Sequence, residues 1–193
     1  MRRIAAGHDA GWRIHGDIVR YQNPWIQVHE YAVTRPNGTS GIYGVVDAGQ
    51  NAGAVVLDAH GRVALLREWV FPMQTFALQI PSGQFRDESP LVACQRELRE
   101  ETGIAAAEWH ALGTFALSGG ISTQVGHLFL AQALTVGPPQ QESTEVMDLT
   151  WIPFADAVAW CVDGTIQDSV SLVGIFRAAA YLHRVPARAQ PAR

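Results

Sequence analysis

Between Ser82 and Ile104 the chain reads SGQFRDESPLVACQRELREETGI, and Arg96, Glu97, Arg99, Glu100 and Glu101 fall within six positions of it. Carboxylates crowded in this way suit the gripping of a hard divalent cation. Like charges four residues apart on a helix, such as Glu97 and Glu101, cost about 0.2–0.5 kcal/mol unless a cation sits between them. Magnesium takes octahedral oxygen ligands, keeps several waters and is completed by substrate phosphates. The chemistry implied is therefore metal-assisted reaction at a phosphate. The competing reading is a solvated helix face on which Arg96 and Arg99 merely neutralise the acids.

The segment must be a helix for the acids to converge. At about 100° per residue, Glu97, Glu100 and Glu101 share one sector, while Leu91, Cys94 and Leu98 gather on the adjoining flank that a helix turns to its core. Ser89 suits the N-cap, Pro90 the first helical position, and Gly103 the left-handed residue that ends a helix. The acids are thus expected on an exposed or cleft-facing side of a helix anchored at both ends.

Glu88, seven intervening residues, then Arg96-Glu97-Leu98-x-Glu100-Glu101-x-Gly103-Ile104 resembles the signature of the Nudix hydrolases. The box glycine is Gly83, with four residues between it and Glu88 where the family has five. Further pieces resemble the ADP-ribose pyrophosphatase branch: Tyr21-x-Asn23-Pro24-Trp25, Leu65-Leu66-Arg67 before Pro72, Ile80-Pro81-Ser82-Gly83, and Ser118-Gly119-Gly120. The resemblance implies metal ligands at the Ser82 carbonyl, Glu97, Glu100 and Glu101, binding Mg2+ or Mn2+. It gives Arg96 and Glu88 structural roles, orienting acids and tying the loop to the helix. The base it implies is Glu142 or Glu145, in the acidic stretch after Pro138-Pro139, or else Glu100. Arg67, Trp12, Tyr21 and Trp25 are the implied substrate-binding residues, the aromatics as platforms for a nucleotide base. Two departures bear on substrate choice: Val70 replaces an Arg usual in this branch, and Gln79 stands where an acid is common.

The activity implied is hydrolysis of ADP-ribose to AMP and ribose 5-phosphate. Another nucleotide sugar, such as GDP-mannose or ADP-glucose, is the nearest alternative, and a non-catalytic nucleotide sensor is the alternative of a different class. Relatives also imply a homodimer, built with the help of the N-terminal piece.

At 193 residues, 48% apolar and 17% charged, the chain fits one globular domain with a sizeable core. A net charge of −4 without a basic cluster excludes general affinity for nucleic acid. No run approaches the roughly 18 apolar residues of a membrane span, so no membrane association is expected. Two cysteines, Cys94 and Cys161, do not make a disulfide framework, and a cytoplasmic location follows.

Alternation predicts strands over 17–22, 26–34, 42–46, 52–57 and 63–70 before the helix, and 108–117, 125–133 and 146–152 after it. Pro36-Asn37-Gly38 and Asp58-Ala59-His60-Gly61 read as hairpin turns. Helices are predicted over 154–162 and 168–183, the latter with Val170, Val173, Phe176 and Ala180 at helical spacing. The fold expected is a Nudix-type α/β/α sandwich with a mixed sheet, preceded by a small antiparallel sheet. Residues 1–47 would form the N-terminal β segment, 48–183 the hydrolase domain, and 184–193 a disordered tail.

Overall fold

The computed structural model describes residues 10–138 and 147–184. Glu142, Glu145 and the tail beyond Arg184 lie outside the described residues. Strands β1 (Arg13–Gln22), β2 (Gln27–Thr34) and β3 (Ser40–Asp47) form an antiparallel sheet in that order. The turn over 36–38 is present, with Gly38 at φ 83° and its N–H on the Arg35 carbonyl at 2.9 Å. Then come β4 (Gln50–Val56), β5 (Arg62–Val70), a 3-10 turn Phe71–Met73, β6 (Thr75–Gln79), β7 (Ser82–Phe85) and α1 (Pro90–Thr102). The chain continues through β8 (Ile104–Ala116), β9 (Val125–Val136), β10 (Met147–Pro153), α2 (Phe154–Asp163) and α3 (Ser169–Arg184).

A four-stranded mixed sheet, ordered β7-β4-β9-β8, is the centre of the molecule, with β4 and β9 parallel. A second sheet runs β10-β5-β6. Strand β4 shows why the fold is a sandwich. Ala52, Ala54 and Val56 pack with Cys94 and Leu98 of α1, whereas Val55 and Leu57 pack with α2 and α3 residues such as Cys161, Val170 and Ile175. Alternate side chains of one strand thus serve two cores. A strand buried on both faces reads as a nearly continuous apolar run, and β4 is buried without a polar side chain from Ala52 to Val56.

Several expectations need correction. The Asp58–Gly61 turn exists, but β4 and β5 form no ladder beyond the isolated bridge Leu57–Val63, and β5 pairs instead with β6 and β10. Strands β6 and β7 are additional to those predicted. The buried stripe of α3 is Val170, Ser171, Gly174, Ile175 and Ala178, while Phe176 and Ala180 face outward. Gly174 decides this: a Cβ there would meet Ile80 at 2.9 Å and Val55 at 3.2 Å, so the helix lies against the sheet along its glycine. Ser171 accepts the Ile80 N–H at 2.9 Å and itself donates to Asp168 at 2.7 Å, pinning the helix start to the end of β6.

In the N-terminal sheet one face carries Tyr31, Val33 and Val45, packed with Trp12 and Ile14. Opposed pairs such as Tyr21–Val28 and Ala32–Ile42 put Tyr21, Val28, Ala32, Ile42 and Val46 on the other face. Among the described residues no helix is long and apolar enough to cross a membrane.

Candidate metal and phosphate site

Helix α1 is anchored as its caps require. The Ser89 side chain accepts the Val92 N–H, Pro90 opens the helix, and Gly103 ends it at φ 71° with its N–H on the Arg99 carbonyl. Ala93, Cys94 and Leu98 are buried, which turns the acidic sector toward the edge strand β7.

That edge is where the acids meet backbone. The Ala54 N–H donates to the Pro81 carbonyl at 2.9 Å, and Gly53 is paired with Ser82. Bonded and non-bonded pairs alternate in an antiparallel ladder, so Ser82 turns its N–H and C=O away from β4, to the free edge. There the Ser82 N–H donates to Glu101 Oε2 at 3.2 Å. At the next residue a Cβ on Gly83 would land on the Glu97 carboxylate, so only glycine leaves room for it. Glu97 and Glu101 therefore converge on the Ser82–Gly83 backbone. Their joint effect reaches Cys94, whose thiol is pushed far above its ordinary range, first by burial and then by the charges of Glu101 and Glu97.

The three helical acids are graded in depth. Glu101 is 7% exposed, the Glu97 side chain 15% and the Glu100 side chain 41%. Arg96 organises the outer part: it lies 2.7 Å from Glu88, 2.9 Å from Glu97 and 2.8 Å from Glu100. The Glu88 hydrogen bond, then the charges of Glu97 and Glu100, outweigh burial and hold its pKa above the ordinary arginine value. Glu88 thus joins the loop to the helix through Arg96.

Among the described residues no three His, Cys, Asp or Glu side chains stand together in a ready-made metal cage. The donor chemistry nevertheless fits a hard divalent ion. Two carboxylates and a backbone carbonyl edge face one small-residue cradle, and oxygen-only ligation completed by water and phosphate suits Mg2+ or Mn2+. Glu100 is turned toward Arg96, at the rim of this set.

The expected substrate residues are dispersed. Trp25 lies beside the Glu88–Arg96 pair: with them and Arg86 it lines a cleft of ≈ 410 Å³ beside the loop before α1, whose lining does not include Ser82, Glu97, Glu100 or Glu101. Trp12 lines a different, apolar pocket with Tyr43 and the loop 119–123. Tyr21 lies on the outer sheet face, its hydroxyl accepting from Asn23 at 3.3 Å. Arg67 stacks over Phe76, 3.7 Å from the ring centroid, and is 3.9 Å from Asp148. The net negative charge of the chain makes Arg86, with Arg67 and Arg99, a candidate cation for an anionic substrate; in the structure Arg86 is bound to Asp47 and to the Trp25 carbonyl.

Residues 47–169 match the NUDIX domain family. The chain belongs to the Nudix family. Residues 12–46 match the nucleoside diphosphate sugar hydrolase N-terminal domain. An ADP-ribose pyrophosphatase of Mycobacterium tuberculosis is 28% identical over 63% of this chain and 60% of its own length, so less than two thirds of that relative is spanned. A GDP-mannose pyrophosphatase of Yersinia pestis is 27% identical over 88% of this chain and 91% of its own. The fold is shared with an ADP compounds hydrolase of known crystal structure, at a TM-score of 0.79 and 18% identity, over 89% of this Nudix chain and 94% of the other.

Proposed function

We propose that this Nudix protein hydrolyses the pyrophosphate bond of a nucleoside diphosphate derivative, ADP-ribose foremost, releasing AMP and ribose 5-phosphate with Mg2+ as cofactor. The observation carrying this reading is the convergence of Glu97 and Glu101 on the free backbone edge of Ser82–Gly83. Glu97, Glu101 and the Ser82 carbonyl would hold a divalent ion, with Glu100 at the rim, and that ion would neutralise charge on the diphosphate and acidify the attacking water. Arg96 holds Glu97 and Glu100 in place from the side, and Glu88 holds Arg96. The proton acceptor is Glu142, Glu145 or Glu100. Of these, Glu100 is already paired with Arg96 at 2.8 Å. Trp25, exposed above the cleft, offers its ring to the base of the nucleotide.

GDP-mannose is the second reading, supported by the longer coverage of its relatives and by Val70 in place of an Arg. The test is direct: incubate the protein with ADP-ribose or GDP-mannose and Mg2+ or Mn2+, and look for AMP or GMP by chromatography. Formation of neither would remove the hydrolase reading.

The protein would act as a homodimer in the cytoplasm, with residues 1–47 as the dimer and substrate-side segment and 48–183 as the hydrolase domain. An apolar outer sheet face, with Ile18 50% and Ile42 63% exposed, supports the dimer. Two buried cysteines, each unpaired, suit a reducing compartment. Ile42→Lys should convert the dimer to monomer in sedimentation velocity; a wild-type monomer would contradict it.

A further inference from the structure

Arg86 lies in the short loop between Gly83 and Glu88, and its guanidinium forks. Nη1 donates to Asp47 Oδ1 at 3.1 Å, and Nη2 donates to the Trp25 carbonyl at 3.2 Å. Asp47 is the buried last residue of β3, and its Oδ1 also accepts the Gly49 N–H at 2.8 Å. Burial alone would raise that carboxyl, but the Gly49 N–H and Arg86 outweigh it and hold it below its ordinary range. The anchor therefore stays ionised. Gly49, at φ 73°, makes the approach possible: a Cβ there would fall 2.8 Å from the Phe85 carbonyl oxygen and 3.2 Å from Arg86 Cγ.

The far end of the fork meets a turn that is already braced internally. Asn23 Oδ1 accepts the Trp25 N–H at 2.9 Å and the Ile26 N–H at 2.8 Å, and the Asn23 N–H returns to the Ile26 carbonyl at 3.0 Å. The turn is stiff, and Arg86 is the link between it and the loop that leads into α1. A planar guanidinium held at both prongs loses little further freedom, which makes it a good strut.

We propose that Arg86 is a positioning residue that fixes the distance between Trp25 and the Glu88–Arg96 end of the acid cluster, so that Trp25 receives the planar nucleobase of a nucleoside diphosphate lying on the acids. This rests on the hydrolase reading above. Arg86 touches neither phosphate nor water in this role; it acts through Trp25. The chemistry recognised is a flat ring at a set reach from a diphosphate, and the short loop is what brings the strut into range.

Steady-state hydrolysis of ADP-ribose by the full chain and by Arg86→Ala, Trp25→Ala and the double variant tests the strut. Arg86→Ala should raise KM about tenfold and leave kcat within about twofold. Trp25→Ala should do the same, and the double variant should be no worse than Trp25→Ala, because the two act in series. Arg86→Lys should fall between, since an ammonium can keep Asp47 but cannot fork to both partners. If Arg86→Ala does not fold, Arg86→Lys carries the test, and a wild-type KM in it overturns the proposal. So does an unmoved KM in a folded Arg86→Ala, or multiplying effects of the two single variants. Wild-type protein that releases neither AMP nor GMP overturns the hydrolase reading and the strut together. An active wild type with KM unmoved in Arg86→Ala overturns the strut alone.

Discussion

On α1 a carboxylate is sunk into the molecule, Glu101 being 7% exposed, while the β1–β2 turn leaves Trp25 68% exposed. Folding alone favours the opposite arrangement, with charge in water and rings in the core. Each region reverses it by a different device. The acids are held by cross-links: the Ser82 N–H on Glu101, and Arg96 bridging Glu88, Glu97 and Glu100. The aromatic is held by its turn and by Arg86, with its ring left in the open. Buried negative charge calls for a cation, and a bare ring calls for a flat apolar partner. On the hydrolase reading proposed above, a metal nucleotide would supply both.

The sharpest way to break this comparison is at the buried end. Glu101→Gln keeps size and the acceptor for the Ser82 N–H while removing the charge, so thermal stability should hold. Turnover should fall by about a thousandfold or more, as expected when a metal ligand is lost. Near-normal kcat in excess Mg2+ would mean that the buried charge serves folding, not metal.

Gly83→Ala should come next. Its methyl would occupy the place of the Glu97 carboxylate, pushing one ligand off the Ser82–Gly83 edge. We expect kcat down by about ten- to a hundredfold, with part of the loss recovered at high Mn2+. A variant with the wild-type metal dependence would show that Glu97 has no fixed place there.

Arg96→Met separates the device from the ligand it anticipates. It leaves Glu88, Glu97 and Glu100 without their shared cation. The Arg96 side chain is 38% exposed, so solvent screens the loss, and urea melts of metal-free protein should show only about 1–2 kcal/mol. Divalent ions should restore more stability to the variant than they add to wild type. Equal gains in both would mean that ion and arginine do not share the acids.

How much of this was legible differs between the two regions for physical reasons. The acid helix is written locally: Ser89, Pro90 and Gly103 mark its ends, and the 3.6-residue period places its faces. Strands β6 and β7 were not legible, because Thr75–Gln79 and Ser82–Phe85 are short, the second also holds Gly83 and follows Pro81, and both exist through pairing with β5 and β4. Strand β8 begins at Ile104 instead of Glu108 for the same reason. Ala105 to Ala107 have weak strand preference, but the β9 end Leu134–Val136 is there to pair with them. At the candidate site the acids were visible by spacing, whereas the Arg86–Asp47 link spans 39 residues and leaves no periodic trace.

That long-range link gives the smallest and most diagnostic effect. Asp47 has its folded pKa lowered, because the Gly49 N–H and the Arg86 charge together overcome burial. A carboxyl lowered on folding contributes stability that is fully present above its unfolded value, about pH 4, and is lost as pH falls through the folded value. Asp47→Asn removes the titration while leaving an oxygen for the Gly49 N–H and for Arg86. Between pH 7 and about pH 3 the variant should therefore lose less stability than wild type in urea melts. Asp58 and Asp163 are shifted the same way, so the acid limb should become shallower without vanishing. Identical acid limbs in variant and wild type would mean that the Asp47 charge does not tie the N-terminal sheet to the box loop. The exposed aromatic would then stand where it does without electrostatic help, and the two regions would be joined by packing alone.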